Sequence, residues 1–499
     1  MSRTFSISPN AANMARRHGR QRVETALLSL LLLLLAVPIA ALLYRSTLAI
    51  TINYNEGWNA YYTSFILAGR PLYYSPQALL TNNYPPLSFL ITAPLAAVFG
   101  DALFAGRVVA WLAFAATCLI IGRILQRIDG DPVAATFGAG VFASYMVVNY
   151  ETYVGMDDPQ MLAHVFMLLG LYVYIRHSRA AWSAPAAAAL MCCGLFTKHN
   201  IIGLPIALAI WLALYDRAAC RRFVIAGILG GIAGAAACLA VFGRDFLTSI
   251  GMPRPYAAIR VWRDAFKWTF PMQVPLAIAI FGSAQGVRDR HSVLFTLYIL
   301  VSLVLGCAAA GGDGTNFNIF FEVVIGFALA AGHLLARLDM LEPRLRLLVI
   351  GAYATSALLT AGLTGKKEAF LIRPWLDAQK ELQAGTRAAV RMVADRPGPA
   401  LCQPIAICYW AGKRFEVDPL TFTFGVAAGT KDLGTVLHHV ASGYYATIVL
   451  PPSDDKDLFL PQRLVAAIRS HYRLLGAPSG DEIYIRAPAD TPAAVIRKR

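Results

Sequence analysis

Four stretches of the 499-residue chain place polar side chains just beyond long apolar runs. They read NYNEGWNAYY with Glu56, NYETYVGMDDPQ with Glu151, Asp157 and Asp158, GLFTKHN with Lys198 and His199, and GGDGTNFNIFFE with Asp313, Asn316, Asn318 and Glu322. Ionisable groups at membrane depth are costly and mark functional sites by default. If these stretches meet over one cavity, a carboxylate can take the proton of an attacking hydroxyl, and a lysine can stabilise charge on a departing phosphate. The combination suits a group-transfer reaction.

A fifth stretch, 243–270, adds positive charge to the same side of the chain. Its basic residues are Arg244, Arg254, Arg260, Arg263 and Lys267. They extend an anion-binding site if they face the cavity, whereas on a membrane surface they bind anionic headgroups instead. Both interpretations remain open at this stage.

Each carboxylate also has a purely structural interpretation. Glu56 could begin a helix or lie in solvent as an ordinary loop charge. Asp157 or Asp158 could cap the helix that Pro159 opens, since Asp before a proline at the first helical position is a good cap. Glu322 could satisfy a neighbouring helix without touching substrate.

Lys198 and His199 have structural alternatives as well. A lysine between two spans can extend its ammonium group to the interface. His199 suits packing or hydrogen bonding better than metal ligation, because no matching His or Cys cluster accompanies it. Pairs of Asp and Glu can still hold a divalent ion, so no cofactor is assigned and metal dependence stays open.

Composition excludes a soluble globular enzyme. The chain is 57% hydrophobic and only 15% charged, and its mean hydropathy is +0.54. Soluble proteins are about 45–50% apolar and about 25% charged. Residues 1–363 hold 42 charged residues, whereas the much shorter segment 364–499 holds 31. The pattern predicts a membrane module over 1–363 and a water-exposed domain over 364–499.

The apolar runs predict eleven transmembrane helices, each close to the length of about 20 residues that crosses a bilayer. The predicted spans are 26–44, 102–122, 133–150, 159–175, 181–197, 201–215, 223–242, 271–286, 292–310, 319–336 and 345–363. The run 87–100 is shorter and contains Pro94, so we interpret it as an interfacial or re-entrant helix.

Lysine and arginine orient these spans. Of the 26 basic residues in 1–363, 17 lie in one set of alternate loops, and cytoplasmic loops carry such an excess. The N-terminus is then cytoplasmic and 364–499 lies outside, in the periplasm if the cell has an outer membrane. The net charge of +15 is explained by this clustering, so no nucleic-acid partner is expected.

The segment 364–499 predicts a small α/β unit. The expected elements are helices at Trp375–Ala394, Leu433–Ser442 and Gln462–Leu475, with strands near 399–409, at Tyr445–Leu450 and at Asp481–Arg486. Cys402 and Cys408 can form a disulfide only if this segment faces an oxidising compartment.

The order of the motifs resembles the GT-C membrane glycosyltransferases. The likeness covers roughly residues 20–330 and depends on Glu56 in the first outer loop, NNYPPL at 82–87, the acidic pair after the third span, and the FTK motif before the next outer turn. The nearest branch is the protein mannosyltransferase and lipid A aminoarabinose transferase group, which includes Rgt-like galacturonic acid transferases.

This resemblance implies a polyprenyl-phosphate sugar as donor and inverting transfer on the outer leaflet. It implies that Glu56 is the acceptor-activating base, that Asp157 or Asp158 is the second acidic position, and that Lys198 lies near the donor phosphate. Tyr84 stands where related branches carry a phosphate-binding lysine. Either the basic stretch 243–270, with Arg254, Arg260 and Arg263, substitutes for that lysine or the donor differs.

The expected protein is thus an α-helical polytopic inner-membrane protein of GT-C type with a C-terminal soluble α/β domain. The expected function is transfer of one monosaccharide from a polyprenyl phosphate to an envelope glycan or glycolipid on the outer side, and His199, Asn316, Asn318 and Glu322 are expected to line the substrate cavity. The alternative is a transporter or flippase, but the charges collect at one end of the helices rather than at mid-helix, where a transport pathway needs them.

Overall fold

A computed structural model describes residues 9–269, 289–341, 345–353, 372–452, 455 and 458–487. Helices dominate the first two ranges. They are α1 Pro9–Ser46, α2 Tyr54–Leu67, α3 Leu87–Phe99, α4 Ala102–Asp129, α5 Pro132–Asn149, α6 Gln160–Arg176, α7 Ser183–Thr197, α8 Gly203–Tyr215, α9 Arg217–Phe242, α10 Asp245–Ile250, α11 Ala258–Thr269, α12 Arg290–Ala310 and α13 Phe321–Leu341. Two short 3-10 helices, Glu151–Tyr153 and Phe317–Phe320, precede α6 and α13.

Six described helices are long and apolar enough to cross a membrane: Gln21–Ser46 within α1, α4, α5, α9, α12, and Phe317–Leu338, which contains most of α13. Helices α3, α6, α7 and α8 are shorter apolar helices. Nine of the eleven predicted spans coincide with these helices. The predicted span 271–286 lies outside the described residues, and the span 345–363 is described, as helix, only over 345–353.

Local sequence signals set where α4 and α5 begin and end. Asp101 caps α4 by accepting the N–H groups of Leu103 and Phe104, and Asp131 caps α5 directly before Pro132. Gly130 ends α4 with φ of 69°, a left-handed conformation that favours glycine. The two helices therefore form a tight antiparallel pair.

The C-terminal range forms a four-stranded sheet in the order β1, β2, β4, β3. Its elements are α14 Ile372–Ala394, β1 Ala400–Cys402, α15 Ile405–Trp410, α16 Pro419–Ala427, α17 Leu433–Ser442, β2 Thr447–Leu450, α18 Gln462–His471, β3 Tyr472–Gly476 and β4 Glu482–Arg486. Strands β1 and β2 are parallel and the other pairs are antiparallel. The predicted fold class, a polytopic helical membrane protein with a C-terminal α/β unit, is confirmed.

Three details of the predicted C-terminal elements were wrong. The strand near 399–409 ends at Cys402, because Pro404 lacks the N–H that a ladder needs, and α15 follows. The helix predicted to Leu475 ends at His471, and β3 pairs with β4 instead. Helix α16 was not predicted, although Asp418 before Pro419 is a start signal that the sequence contains.

The C-terminal unit packs directly on α2, the helix that follows the first predicted span. A Cβ atom at Gly57 would lie 2.3 Å from the backbone nitrogen of Ala406, so only glycine permits this approach of α2 to α15. The rings of Tyr61 and Phe415 stack with centroids 4.7 Å apart, and the Tyr61 hydroxyl donates to the carbonyl of Lys413. Helix α2 thus lies between the membrane helices and the C-terminal unit.

Candidate active site

A cavity of about 920 Å³ lies between the ends of the helices and the C-terminal unit. One wall comes from residues before 320 and includes Asn55, Tyr84, Lys198, His199, Arg254, Arg260, Arg263, Asn316 and Asn318. The other wall comes from the C-terminal unit and includes Gln403, Asp418, Thr421, Thr423, Phe424 and Phe459. The tertiary fold therefore brings together most of the residues that the sequence singled out.

Glu56 does not line this cavity, contrary to the expectation that it would face substrate. Its side chain is fully buried, and Arg107 of α4 donates from Nε to Oε1 at 2.7 Å and from Nη2 to Oε2 at 2.8 Å. The backbone N–H groups of Ile52 and Asp157 complete the set at 3.0 and 3.3 Å. Every carboxylate oxygen is occupied, which favours a positioning role, and the role of base stays a prediction.

Arg107 is a buried partner of a predicted site residue that sequence reasoning missed. Besides Glu56, its guanidinium donates to the carbonyls of Ser46, Leu48 and Ile50, so it holds the turn after α1 against α4. An arginine inside the predicted span 102–122 was itself a signal, because a charge at membrane depth requires a partner.

Asp157 contacts Glu56 through its backbone N–H, and it does not line the cavity either. Its pKa is raised well above its ordinary value, by burial first and then by the charges of Glu56 and Asp158. Its Oδ2 atom has no hydrogen-bond partner among the described residues. A Cβ atom at Gly106 would lie 2.0 Å from its carboxyl carbon, so this glycine provides the space. The surroundings of Asp157 therefore favour the neutral form of its carboxyl group.

Asp158 does not line the cavity either, but it is the predicted carboxylate that bonds to side chains of the cavity wall. Its Oδ1 atom accepts from Lys198 Nζ at 2.9 Å, and its Oδ2 atom accepts from Asn55 Nδ2 at 3.4 Å. The N–H of Gln160 also bonds to Oδ1, which is the capping interaction considered from sequence. Both side chains of the ion pair are almost fully buried, and the ammonium lies 4.9 Å from the centre of the Tyr84 ring.

Three of the five basic residues of 243–270 line the cavity, and Arg244 and Lys267 do not. Arg260 forms an ion pair with Asp313 at 3.0 Å, and Arg263 forms one with Asp264 at 2.8 Å. Arg254 has no ion-pair partner among the described residues, so its charge is available to a ligand. It also lies near His199, whose pKa is lowered to about 4 by burial, by Arg254 and by Lys198. His199 is therefore neutral at physiological pH.

Loop pairing holds these arginines over the cavity. Tyr256 forms an isolated antiparallel bridge with Gly312, and the N–H of Asp313 donates to the carbonyl of Pro255. The segment that contains Gly312 and Asp313 continues to Asn316 and Asn318, which line the cavity as expected.

Glu322 does not line the cavity. Its carboxylate accepts the backbone N–H groups of Gly203 and Leu204 at 3.1 and 3.0 Å, so it caps the first turn of α8 from a neighbouring helix. The structural interpretation considered from sequence is therefore the one that the contacts favour.

Asp418 is a second residue that sequence reasoning missed. Its fully buried carboxylate accepts from the Tyr54 hydroxyl at 2.5 Å, from Trp58 Nε1 at 2.9 Å and from the Thr421 hydroxyl at 2.5 Å. Tyr54 and Trp58 belong to α2, so this carboxylate joins the C-terminal unit to α2. No metal-binding group of three or more His, Cys, Asp or Glu occurs within the described ranges.

The apolar helices, with a cavity at their ends, define a multi-pass membrane protein. Residues 83–242 match the family model described as dolichyl-phosphate-mannose-protein mannosyltransferase. The fold is similar to that of ArnT from Cupriavidus metallidurans bound to undecaprenyl phosphate, with a TM-score of 0.62, 12% identity, and coverage of 92% of this chain and 98% of that one.

The apo form of the same ArnT gives a TM-score of 0.62 at 13% identity, with coverage of 91% and 97%. No match was found among curated protein sequences. The resemblance recognised from sequence motifs is confirmed at the level of fold.

Proposed function

We propose that the protein is an integral-membrane glycosyltransferase that moves one monosaccharide from a polyprenyl phosphate to a hydroxyl of an envelope glycan or glycolipid on the outer face of the inner membrane. The observation that carries the proposal is the buried ion pair of Lys198 and Asp158 at the wall of a large cavity where apolar helices end. A lipid-linked donor cannot leave the bilayer, so its phosphate must be bound at this depth.

Lys198 and Arg254 are the proposed ligands of the donor phosphate. Both line the cavity, and Arg254 is without an ion-pair partner among the residues described. Arg254 then supplies the charge that a lysine at the position of Tyr84 would supply in related branches. Arg260 and Arg263, which are already paired with carboxylates, contribute a weaker positive field. The related ArnT in complex with undecaprenyl phosphate supports a donor of this class.

Asp158 is the proposed proton acceptor. When the donor phosphate attracts Lys198, the carboxylate loses its cation and becomes a stronger base. The acceptor hydroxyl passes its proton to Asp158 as its oxygen bonds to the anomeric carbon. The bond from that carbon to the phosphate oxygen breaks, and its electron pair stays on the phosphate, where Lys198 and Arg254 stabilise the charge. A single displacement of this kind inverts the anomeric centre.

The disulfide supports placing the C-terminal unit outside the cytoplasm. Cys402 and Cys408 are paired, with their Cα atoms 5.9 Å apart. Disulfides persist in oxidising compartments such as the periplasm. This agrees with the distribution of basic residues, which predicts a cytoplasmic N-terminus.

The test uses purified full-length protein in nanodiscs, supplied with metabolically labelled polyprenyl-phosphate sugars extracted from the source membranes. Wild type should transfer label to envelope glycans, and Asp158→Asn should reduce turnover by roughly 100-fold or more, as expected for loss of a general base. Lys198→Ala should weaken binding of undecaprenyl phosphate at least tenfold.

Asp432→Asn and Lys380→Ala are the matched controls, since both residues are exposed and lie away from the cavity. Asn can cap α17 as Asp432 does. Normal turnover in Asp158→Asn would rule out the proposed base, and a wild-type chain that neither binds undecaprenyl phosphate nor transfers label would rule out the function.

A further inference from the structure

The two walls of the cavity differ in charge. The wall formed by residues before 320 carries the cations Lys198, Arg254, Arg260 and Arg263 and the carboxylates Asp264 and Asp313, so it keeps a net excess of two positive charges. Within the described part of the C-terminal unit, no lysine, arginine or histidine lines the cavity, and Asp418 is the one charged residue that does. An anionic ligand is therefore attracted to the first wall only.

The threonine hydroxyl groups of the C-terminal wall donate their protons to acceptors within the protein. Thr421 donates to Asp418, and the one proton of the Thr423 hydroxyl is shared between the backbone carbonyls of Pro419 and Phe459, each 2.9 Å away. A hydroxyl has one proton and two lone pairs, so these side chains offer only acceptor sites to the cavity. A phosphate oxygen would meet lone pairs and no donor on Thr421 and Thr423, whereas a sugar hydroxyl can donate to them.

Two aromatic rings lie beside these hydroxyls. Phe424 and Phe459 line the cavity, and the Phe459 ring meets Tyr54 edge to face, with centroids 5.1 Å apart. Phe424 packs against the 311–316 loop, where its Cζ atom lies 2.9 Å from a Cβ built on Gly314. Small-molecule sites combine such apolar surfaces with a few placed polar groups. Rigid rings beside hydrogen-bond acceptors suit the apolar face and hydroxyl edge of a sugar ring.

We propose that the C-terminal wall is the acceptor subsite and that it selects a neutral saccharide hydroxyl over a phosphorylated acceptor. The inference rests on the proposed function and specifies its acceptor class. The donor phosphate occupies the cationic wall, and the acceptor saccharide lies on Thr421, Thr423, Phe424 and Phe459. The C-terminal unit thereby acts as the specificity element of the enzyme.

The first test compares acceptors. Envelope glycans are isolated from a strain that lacks the gene, and half of the material is dephosphorylated with alkaline phosphatase. Wild-type protein in nanodiscs with labelled polyprenyl-phosphate sugars should label both samples equally, within twofold. A loss of labelling of tenfold or more after dephosphorylation would overturn the inference.

The second test compares variants. Thr423→Val removes the lone pairs, and we expect kcat/KM for the glycan to fall about tenfold, while binding of undecaprenyl phosphate stays within twofold of wild type. Thr423→Ser keeps the hydroxyl, so its loss of kcat/KM should be much smaller than that of Thr423→Val. Thr430→Val is the control, because Thr430 donates to the carbonyl of Gly425 and does not line the cavity.

The outcomes separate the two proposals. Equal kcat/KM in Thr423→Val and wild type would overturn the acceptor subsite. So would an equal loss in Thr423→Val and Thr423→Ser when both variants melt at the wild-type temperature. If the wild-type chain fails to bind undecaprenyl phosphate, the proposed function falls, and the acceptor subsite falls with it.

Discussion

Helix α2 is held by a carboxylate on each of two faces, and the two carboxylates are held differently. On one face Glu56 pairs with Arg107 of α4 in a closed, two-pronged ion pair. On the other face Asp418 of the C-terminal unit accepts from Tyr54 and Trp58, which are neutral donors. The first attachment compensates charge with charge, and the second leaves a buried carboxylate whose protonation depends on pH.

The two attachments of α2 should differ in strength. A buried ion pair that loses one partner leaves an uncompensated charge, which costs about 3–5 kcal/mol. A hydrogen bond contributes about 0.5–1.5 kcal/mol net, somewhat more when one partner is charged. We therefore expect α2 to be fixed firmly to the membrane helices and less firmly to the C-terminal unit.

The largest effect is expected from Arg107→Met, which leaves Glu56 buried without its cation. We expect the free energy of unfolding to fall by about 3–5 kcal/mol and transfer to be lost. Thermal unfolding of the solubilised protein measures the first, and the nanodisc assay measures the second. Arg123→Met is the control on the same helix, since Arg123 is exposed.

The double variant Glu56→Gln with Arg107→Met decides what Glu56 does. Removing both charges should restore most of the melting temperature. If Glu56 only positions α2, transfer should return in part. A stable double variant without any transfer would instead support Glu56 as the base, the role that the family resemblance implies.

A smaller effect is expected from Gly57→Ala, which tests the second face of α2. The new Cβ atom would lie 2.3 Å from the backbone of α15, so the C-terminal unit must shift away. Overpacking of this kind costs about 1–3 kcal/mol. Limited proteolysis should cleave 372–487 faster in the variant than in wild type. Gly231→Ala is the control, because nothing lies within 4 Å of a Cβ at that position. Equal cleavage rates in Gly57→Ala and wild type would contradict the close contact.

Tyr54→Phe should have a still smaller effect. The variant loses the hydroxyl that donates to Asp418 and accepts from the N–H of Leu420, but it keeps the ring that packs on Phe459. We expect a loss of about 1 kcal/mol in the free energy of unfolding, measured by thermal melting. Tyr444→Phe, at an exposed position, serves as the reference.

The last effect is a change in pH dependence, which we expect from Asp418→Asn. Burial, the largest cause, raises the pKa of Asp418 above its ordinary value of 3.8, and hydrogen bonds from Thr421, Tyr54 and Trp58 offset part of this. The folded chain therefore binds this proton more tightly than the unfolded chain does. The contribution of Asp418 to stability falls as pH rises from 3.8 through the raised folded value.

An asparagine side chain does not titrate, so this part of the pH dependence should vanish in Asp418→Asn. Melting temperatures recorded from about pH 4 to about pH 7 in wild type and variant measure the difference. Asp432→Asn, at an exposed cap, should keep the wild-type slope. Identical slopes in Asp418→Asn and wild type would show that Asp418 titrates with the same pKa in both states of the chain.

Much of the architecture could be predicted because local patterns determine it. Apolar runs near the length of a bilayer predicted nine helices that the described residues contain, and the order of polar loops brought Lys198, Asp158 and Arg254 to one end of them. The strand predicted at 399–409 and the helix predicted to Leu475 were wrong where strand pairing and Pro404 override local preference.

The sequence by itself determined which polar groups lie at the ends of the helices, because the ends of the apolar runs mark where each helix stops. The charges of the loops between the runs predict on which side each loop lies. Only the tertiary structure decided which of those groups face the cavity. Glu56 and Asn55 are neighbours in sequence, yet Glu56 turns to Arg107 and Asn55 lines the cavity. The rotation of α2 about its own axis is set by partners on α4 and on the C-terminal unit, where Asp418 lies 360 residues beyond Trp58, and no local pattern encodes those contacts.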